Sequence, residues 1–511
     1  MWNSTQLIIL ALFTTTACAQ PTIAWQHNYG GSAVDAGRSI HPTLDGGYIV
    51  FAHSSSNDGQ LTENRGLPDY WAVKINGSGE LEWQRSLGSS GVEYPGDMWQ
   101  TPDGGYIGIG TITTADGDVS SITGYSDIWV VKLDALGALV WERSFGGSLI
   151  DRGLWLHVLT NGQILLFGET NSPEIEGEIG ESDTWVVRIT SDGTELQQQR
   201  FGGSLHDIMG YFGYLSNGSV VFSGSTYSTD GQATGNHGGS DGMIISLDED
   251  LNLNWHTCIG GSSYENAGAI CESADGSIYV ASSALSLDGQ ISNARGGGDY
   301  WIVKLSSDGE LLGESSFGGS ESDLPLSILP RANGGVYVYG TVISEDGDIS
   351  ASHGDKDAWL ICLDADLNLR WERALGGSSS DFGGGMCYAP DGGLVLVGTS
   401  GSTDGDLTGN FGGGDLWVVK FNPEVVGISE VSEAFFTLYP NPATDELRIS
   451  LTGTAARQLE VVDVTGRIVI TQAVTSGTTT VDLSIPQLAQ GTYSVRLVGD
   501  GQNYSELFIK Y

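Results

Sequence analysis

Residues 21–32 read PTIAWQHNYGGS. They begin the way four later stretches end: LEWQRSLGSS (81–90), LVWERSFGGS (139–148), LNWHTCIGGS (253–262) and LRWERALGGS (369–378). Elsewhere a Trp-bearing run before Gly-Gly-Ser closes a repeat, yet here the closing run comes first. The first glycine of this motif, or its equivalent, falls at 30, 88, 146, 202, 260, 318 and 376, at intervals of 58 residues with one of 56. After each glycine pair comes an acid and an apolar run. Next come a turn such as TLDGGY or APDGGL, a second apolar run, a long polar loop, an Asp-x-Trp run such as DIWVVKL, and a Trp-bearing fourth run. β-Branched and aromatic runs bounded by Gly, Asp and Asn turns predict strands, and four strands per unit repeated seven times predict a β-propeller. The seventh unit stops at GGGDLWVVKFNPE (412–424) without its fourth strand. The surplus strand at residues 23–29 matches that deficit, and pairing the two ends in one sheet would remove an exposed edge. The expectation is an all-β, seven-bladed propeller closed by an N-terminal strand, over residues 20–423.

Of 511 residues, 63 are Asp or Glu and 21 are Lys or Arg, a net charge of −42. Such a chain lacks the basic face that phosphate binding requires, which excludes nucleic acid and disfavours anionic membrane surfaces. Residues 1–19 carry an apolar run (Leu7–Phe13) ending in Ala17-Cys18-Ala19, which reads as a secretory signal peptide although no Lys or Arg precedes it. Lipidation at Cys18 is the alternative, with Thr15 a poor residue three places upstream. No later stretch approaches a membrane-spanning run. Cys258, Cys271, Cys362 and Cys387 show no framework spacing and are expected to be unpaired and structural.

Residues 424–434 form a linker, and residues 435–511 have a different composition that reads as a small β-sandwich. This tail holds seven acids and five bases, so the charge belongs to the repeats. Tyr439-Pro440-Asn441-Pro442, then VVDVTGRIV around Gly466, then Gly491-Thr492-Tyr493 follow in order. Together they resemble the C-terminal sorting domain of the type IX secretion system of Bacteroidetes, an Ig-like sandwich. The resemblance implies export to the periplasm, passage across the outer membrane by that machinery, removal of the tail, and release or surface attachment. The Gly-Gly-Ser and Asp-Gly-Gly-Tyr repeats resemble those of other cargo of this system, for which no common activity follows.

Three positions are acidic in every unit. The first comprises Asp35, Glu93, Asp151, Asp207, Glu265, Asp323 and Asp381. The second comprises Asp58, Asp116, Glu174, Asp230, Asp288, Asp346 and Asp404, and the third Asp69, Asp127, Asp183, Asp241, Asp299, Asp357 and Asp415. Sevenfold recurrence points to turns stabilised by side chain–backbone bonds rather than to catalysis. In four long loops the acids come in i, i+2 pairs: Asp116 and Asp118, Glu174 and Glu176, Asp346 and Asp348, Asp404 and Asp406. Alternating carboxylates are a way to bind calcium, although Gln replaces the second acid in three units. No cofactor other than calcium is suggested, and no His/Cys cluster has zinc spacing. The recurrent Trp residues are expected to fill space between blades.

A localised function should sit where the repeats differ. One first-strand position reads Ser39, Asp97, Trp155, Tyr211, Ala269, Ser327, Gly385, and the position two later reads His41, Trp99, His157, Gly213, Cys271, Leu329, Cys387. Alternate residues share a face, so His41, Asp97, Trp99, Trp155, His157 and Tyr211 are expected together near the ring axis. Aromatic rings with a few polar groups suit a sugar, whereas irregular packing around a narrowing channel is the structural explanation. Three functions stay open: a secreted or surface binding or adhesion module for a glycan or protein ligand, a polysaccharide hydrolase or lyase using Asp97, and a purely structural surface component.

Overall fold

The computed structural model describes residues 20–424 and 436–511, apart from 62, 178–179, 408, 452–455, 464–466, 476–477 and 500–502. The leader, the linker beyond Glu424 and Gly466 of the sorting motif lie outside the described residues. The chain divides into two compact units, one within residues 18–425 and one within 426–511. Apart from a 3-10 turn at Gly231–Ala233, their regular structure is all β.

In the first unit the strands form seven four-stranded antiparallel sheets. The first sheet contains Asp35–Pro42, Tyr48–Ser54, Asp69–Ile75 and Leu81–Leu87, in chain order. The next five sheets repeat this plan, with leading strands Tyr94–Gln100, Asp151–Val158, Asp207–Tyr214, Glu265–Glu272 and Leu324–Pro330. The seventh consists of Asp381–Tyr388, Leu394–Ser400, Asp415–Phe421 and the chain's first strand, Ile23–Tyr29. Asn28 pairs with Trp417 in that junction, so the surplus and the deficit noted in the sequence meet. Each leading strand packs against the leading strand of the next sheet, and the seventh against the first.

The third-strand tryptophans are the pins of this arrangement. Trp71, Trp129, Trp301, Trp359 and Trp417 are at most 1% exposed, and Trp185 is 2% exposed. A buried indole needs a partner for its N–H, and it finds a Gln or Glu on the fourth strand: Trp71 to Gln84, Trp129 to Glu142, Trp185 to Gln198, Trp301 to Glu314 and Trp359 to Glu372. Trp417 donates to Gln26 at 3.0 Å, the equivalent residue on the strand supplied from the N-terminus. Met243, which has no N–H to satisfy, stands opposite Cys258 and is followed thirteen residues later by His256 in place of Gln or Glu.

The fourth-strand tryptophans are only half-buried and lie on the hairpin turn of the following sheet. A Cβ at Gly79, Gly137 or Gly309 would meet the ring of Trp25, Trp83 or Trp255 within 2.8 Å. These glycines have φ near +80°, so backbone and space both call for glycine. Where the tryptophan is replaced, by Gln197 or Gly313, the next turn carries Leu251 or Leu367 in its place, at φ 64° and 63°. The Leu367 side chain reaches toward Gly313. Volume lost on one sheet is restored by the next.

All four described cysteines are free and buried, and burial pushes the Cys258 and Cys362 thiols up to about 12. The second unit has a three-stranded sheet (Phe436–Tyr439, Glu446–Leu451, Thr480–Ser484) and a four-stranded one (Ile468–Ala473, Ala456–Asp463, Gly491–Gly499, Asn503–Lys510). Both contribute to one apolar core around Leu447, Ile449, Val461, Val495 and Phe508.

Candidate functional site

The recurrent acids are consumed by the fold. In the first set, Asp35 accepts the Gly31 N–H at 2.7 Å and the hydroxyls of Ser54 and Ser56. Asp151, Asp207, Glu265, Asp323 and Asp381 accept the equivalent glycine N–H. In the third set, one oxygen accepts a loop N–H, as Asp69 does from Arg65 and Asp415 from Phe411. The other oxygen is buried without a hydrogen bond in Asp69, Asp183, Asp241, Asp299, Asp357 and Asp415.

The long-loop acids are tied to the backbone of the glycine motif. Asp116, Asp346 and Asp404 each accept the N–H of the motif serine (Ser90, Ser320, Ser378) at 2.7 Å. Their i+2 partners Asp118, Asp348 and Asp406 accept the N–H of Gly88, Gly318 and Gly376, and pair with Arg65, Arg295 and Arg373. Gln60, Gln232 and Gln290 take the same glycine N–H in other sheets. A job that a neutral amide performs in other sheets needs no charge. Among the described residues no group of three or more His, Cys, Asp or Glu is arranged to hold a metal ion.

The variable first-strand positions do converge. His41 Nε2 lies 2.7 Å from Asp97 Oδ1, and the Trp99 indole donates to Asp97 Oδ2 at 2.7 Å. The His41 ring sits 3.9 Å from Trp99, His157 stands edge-on to Trp99 at 5.8 Å, and Tyr214 stacks on His157 at 4.8 Å. Trp155 faces Tyr211 at 4.1 Å. Burial lowers the His157 pKa, with Asp97 opposing the shift. The environment of Asp97 favours its ionised form: burial works against this, but His41, Ser39 and Trp99 outweigh it.

Two expectations change here. Asp97 is 1% exposed and also accepts the Met98 N–H, so it orients His41 and Trp99 rather than meeting a ligand. Trp155 is 6% exposed, and a guanidinium, that of Arg38, lies 4.9 Å from its ring. It is not an open stacking platform. What remains accessible is a cavity of about 20 Å³ lined by Arg38, Ser39, His41, Trp155, Tyr211 and backbone at Gly384 and Gly385. Five sheets contribute to its walls, through Ile40, Trp155, Tyr211, Leu326 and Met386 among others.

The sequence reading missed Arg38 and Tyr214. Arg38 occupies a β-bulge, where pairing to the second strand skips from Gly37 to Ser39. A bulged residue is released from the ladder and re-aimed. The signal was present: three places after the first-set acid the repeats read Arg38, Gly96, Leu154, Gly210, Gly268, Leu326 and Gly384, one charge in a column of glycine and leucine.

A second, roomier hollow of about 360 Å³ lies between the third and fourth sheets, lined by Arg152, Glu169, His206 and Tyr227. There Arg152 pairs with Glu169 at 3.2 Å, and Glu169 also accepts the Met209 N–H.

In the second unit the sorting-motif residues are held by the last strand. Asn441 accepts the Ile509 N–H at 3.0 Å, Ala443 exchanges backbone bonds with Ile509 and Tyr511, and Gly491 pairs with Lys510. Tyr493 stacks on Phe508 and donates to the Ala489 carbonyl. Tyr439, Pro440 and Pro442 are exposed.

Residues 437–511 match the model of the secretion system C-terminal sorting domain. The chain is therefore a cargo of the type IX secretion system, secreted or held at the cell surface. Among the described residues no helix is long and apolar enough to cross a membrane. Comparison with curated proteins returns no match. Several solved structures are similar. An ulvan lyase of a polysaccharide lyase family has 12% identity and a TM-score of 0.49, over 79% of this chain and 98% of that one. The WD40 domain of Neurospora crassa Pan2 has 9% identity and a TM-score of 0.41, over 76% and 89%. A protein of unknown function from Bacteroides caccae has 10% identity and a TM-score of 0.34, over 67% and 94%. At this identity and overlap they carry no inference about ligand or activity.

Proposed function

We propose that the chain is an exported binding module, built as a closed seven-bladed propeller that presents its central cavity to a glycan. One observation carries the reading: the residues that differ between repeats converge from five sheets on one cavity lined by Arg38, His41 and Tyr211, whereas the recurrent acids and the third-strand tryptophans are occupied in holding the sheets. The cavity admits one water-sized group. A sugar would lie across its mouth and insert a single substituent. Tyr439 to Pro442, Gly466, Gly491 and Tyr493 belong on this reading to recognition by the secretion machinery.

The test is retention of the full chain on immobilised polysaccharides. Retention on a subset, reduced at least tenfold by His41→Ala with the melting temperature held, is expected. Equal retention of wild type and variant would move the site elsewhere, and no retention on any support would sink the glycan reading.

The His41–Asp97 contact favours a second reading. A histidine held by a buried carboxylate is the arrangement of a general base, and a lyase that abstracts a proton beside a sugar carboxylate would use it. New unsaturated chain ends in the retained polysaccharide, absent with His41→Ala, would favour that reading over pure binding.

A further inference from the structure

Arg38 is the only charged residue among the seven bulge positions, and no acid among the described residues pairs with it. Its guanidinium has no hydrogen bond or ion pair among the described residues and lies over the face of Trp155, 4.9 Å from the ring centre. Asp97 is near enough to interact electrostatically, but its oxygens are taken by His41, Trp99 and the Met98 N–H. Beside Arg38, Ser39 is 4% exposed; its hydroxyl is near enough to Asp97 to favour the carboxylate but makes no hydrogen bond of good geometry. Unpaired donors in a poorly solvated place are costly, and here two of them line the same cavity. Other sheets build the bulge with glycine or leucine, so neither the bulge nor its packing requires an arginine.

A planar guanidinium with free N–H groups is shaped for a carboxylate or sulfate oxygen pair. A cavity of about 20 Å³ accepts such an oxygen and rejects a whole ring. We propose that Arg38, with the Ser39 hydroxyl, forms an anion subsite that takes the acidic substituent of a charged sugar, so that the ligand of the central cavity is an acidic glycan. This rests on the glycan reading above and narrows it. The repeats are strongly acidic, so long-range forces oppose such a ligand. The contact must win locally, where the dielectric constant is low.

The experiment is affinity electrophoresis of the full chain in gels containing polygalacturonate (carboxylate), dextran sulfate (sulfate ester) or neutral dextran and galactan, with wild type, Arg38→Gln and Arg38→Lys. Retardation by at least one acidic polymer is expected, with affinity falling tenfold or more in Arg38→Gln. Arg38→Lys should fall between them, because it keeps the charge and loses the fork. The carboxylate and sulfate arms identify which anion is taken. Thermal melts provide the second readout: removing an unpaired cation should leave the melting temperature of Arg38→Gln equal to wild type or higher. A lower melting temperature would mark Arg38 as structural and overturn the proposal. So would acidic-polymer binding that Arg38→Gln leaves unchanged. Retardation by neutral polymers alone would overturn the anion subsite and leave the glycan reading standing. No retardation by any polymer would remove both.

Discussion

Gly30 and its six equivalents each sit between two buried carboxyls from neighbouring sheets. A Cβ at Gly30 would lie 2.6 Å from Asp35 Oδ2 and 2.9 Å from Asp415 Oδ1, and at Gly88 it would lie 2.6 Å from Asp69 Oδ1 and 2.7 Å from Glu93 Oε2. In both pairs the third-set oxygen that faces the glycine lacks a hydrogen bond. A proton there neutralises one carboxyl and removes its repulsion of the other. Burial raises Asp415 to about 6, with Asp35 adding to the shift, and raises Glu93 to about 7. Asp69, Asp127, Asp183, Asp241, Asp299 and Asp357 also move up through burial. A carboxyl raised in the folded state contributes stability that is complete below its unfolded pKa and is lost as pH rises through the folded value. Asp45 and Asp103, at about 2, lose theirs only as pH falls through that value. Between pH 5 and 8 the lowered His53 and His157 act in the opposite direction, but the raised carboxyls outnumber them and set the sign. The melting temperature should fall as pH rises across this window, followed by circular dichroism. Asp415→Asn supplies a permanent donor toward Asp35 and should stabilise the protein at pH 8 by about 1 kcal/mol, with little effect at pH 5. A melting temperature flat or rising from pH 5 to 8 would contradict the shared-proton account.

At the scale of elements, the tryptophan on one sheet and the turn residue on the next form a matched pair. Gly137→Leu would place a side chain at φ +81° against Trp83. Left-handed backbone costs about 1–2 kcal/mol and overpacking about 1–3 kcal/mol, so a loss of roughly 2–5 kcal/mol is expected in urea melts. Trp83→Gly in the same chain should restore part of it, because Gly313 and Leu367 already coexist in this way. Additive losses in the double variant would show that the two positions are not coupled. The Trp positions themselves were plain in the sequence. Their coupling to a turn on the next sheet was not, because it spans a contact that strand periodicity does not encode.

For the whole molecule, the junction of Ile23–Tyr29 with Asp415–Phe421 decides whether the seventh sheet has a free edge. Deleting residues 20–30 should expose the Asp415–Phe421 edge and remove Gln26, the partner of the Trp417 indole. Unpaired edges associate. The truncated chain is expected to melt lower, less cooperatively, and to aggregate in size-exclusion chromatography. A monomer melting within a degree or two of the intact chain would show that the junction contributes little.

The repeat spacing, the strand surplus at one end and the deficit at the other were legible from residue order alone, because strand period, turn residues and repeat length are local properties. So was the convergence of His41, Trp99, His157 and Tyr211, which follows from position within the repeat once the strands share a centre. What each of those side chains is free to do was not legible. Asp97 and Trp155 looked like ligand groups and proved buried, the loop acids looked like calcium ligands and proved to hold backbone N–H groups, and Arg38 went unnoticed until a bulge turned it into the cavity. Exposure and hydrogen-bond satisfaction depend on partners brought in from other strands and sheets, as His41 is to Asp97 and Ser90 to Asp116, and only the packed sheets decide them.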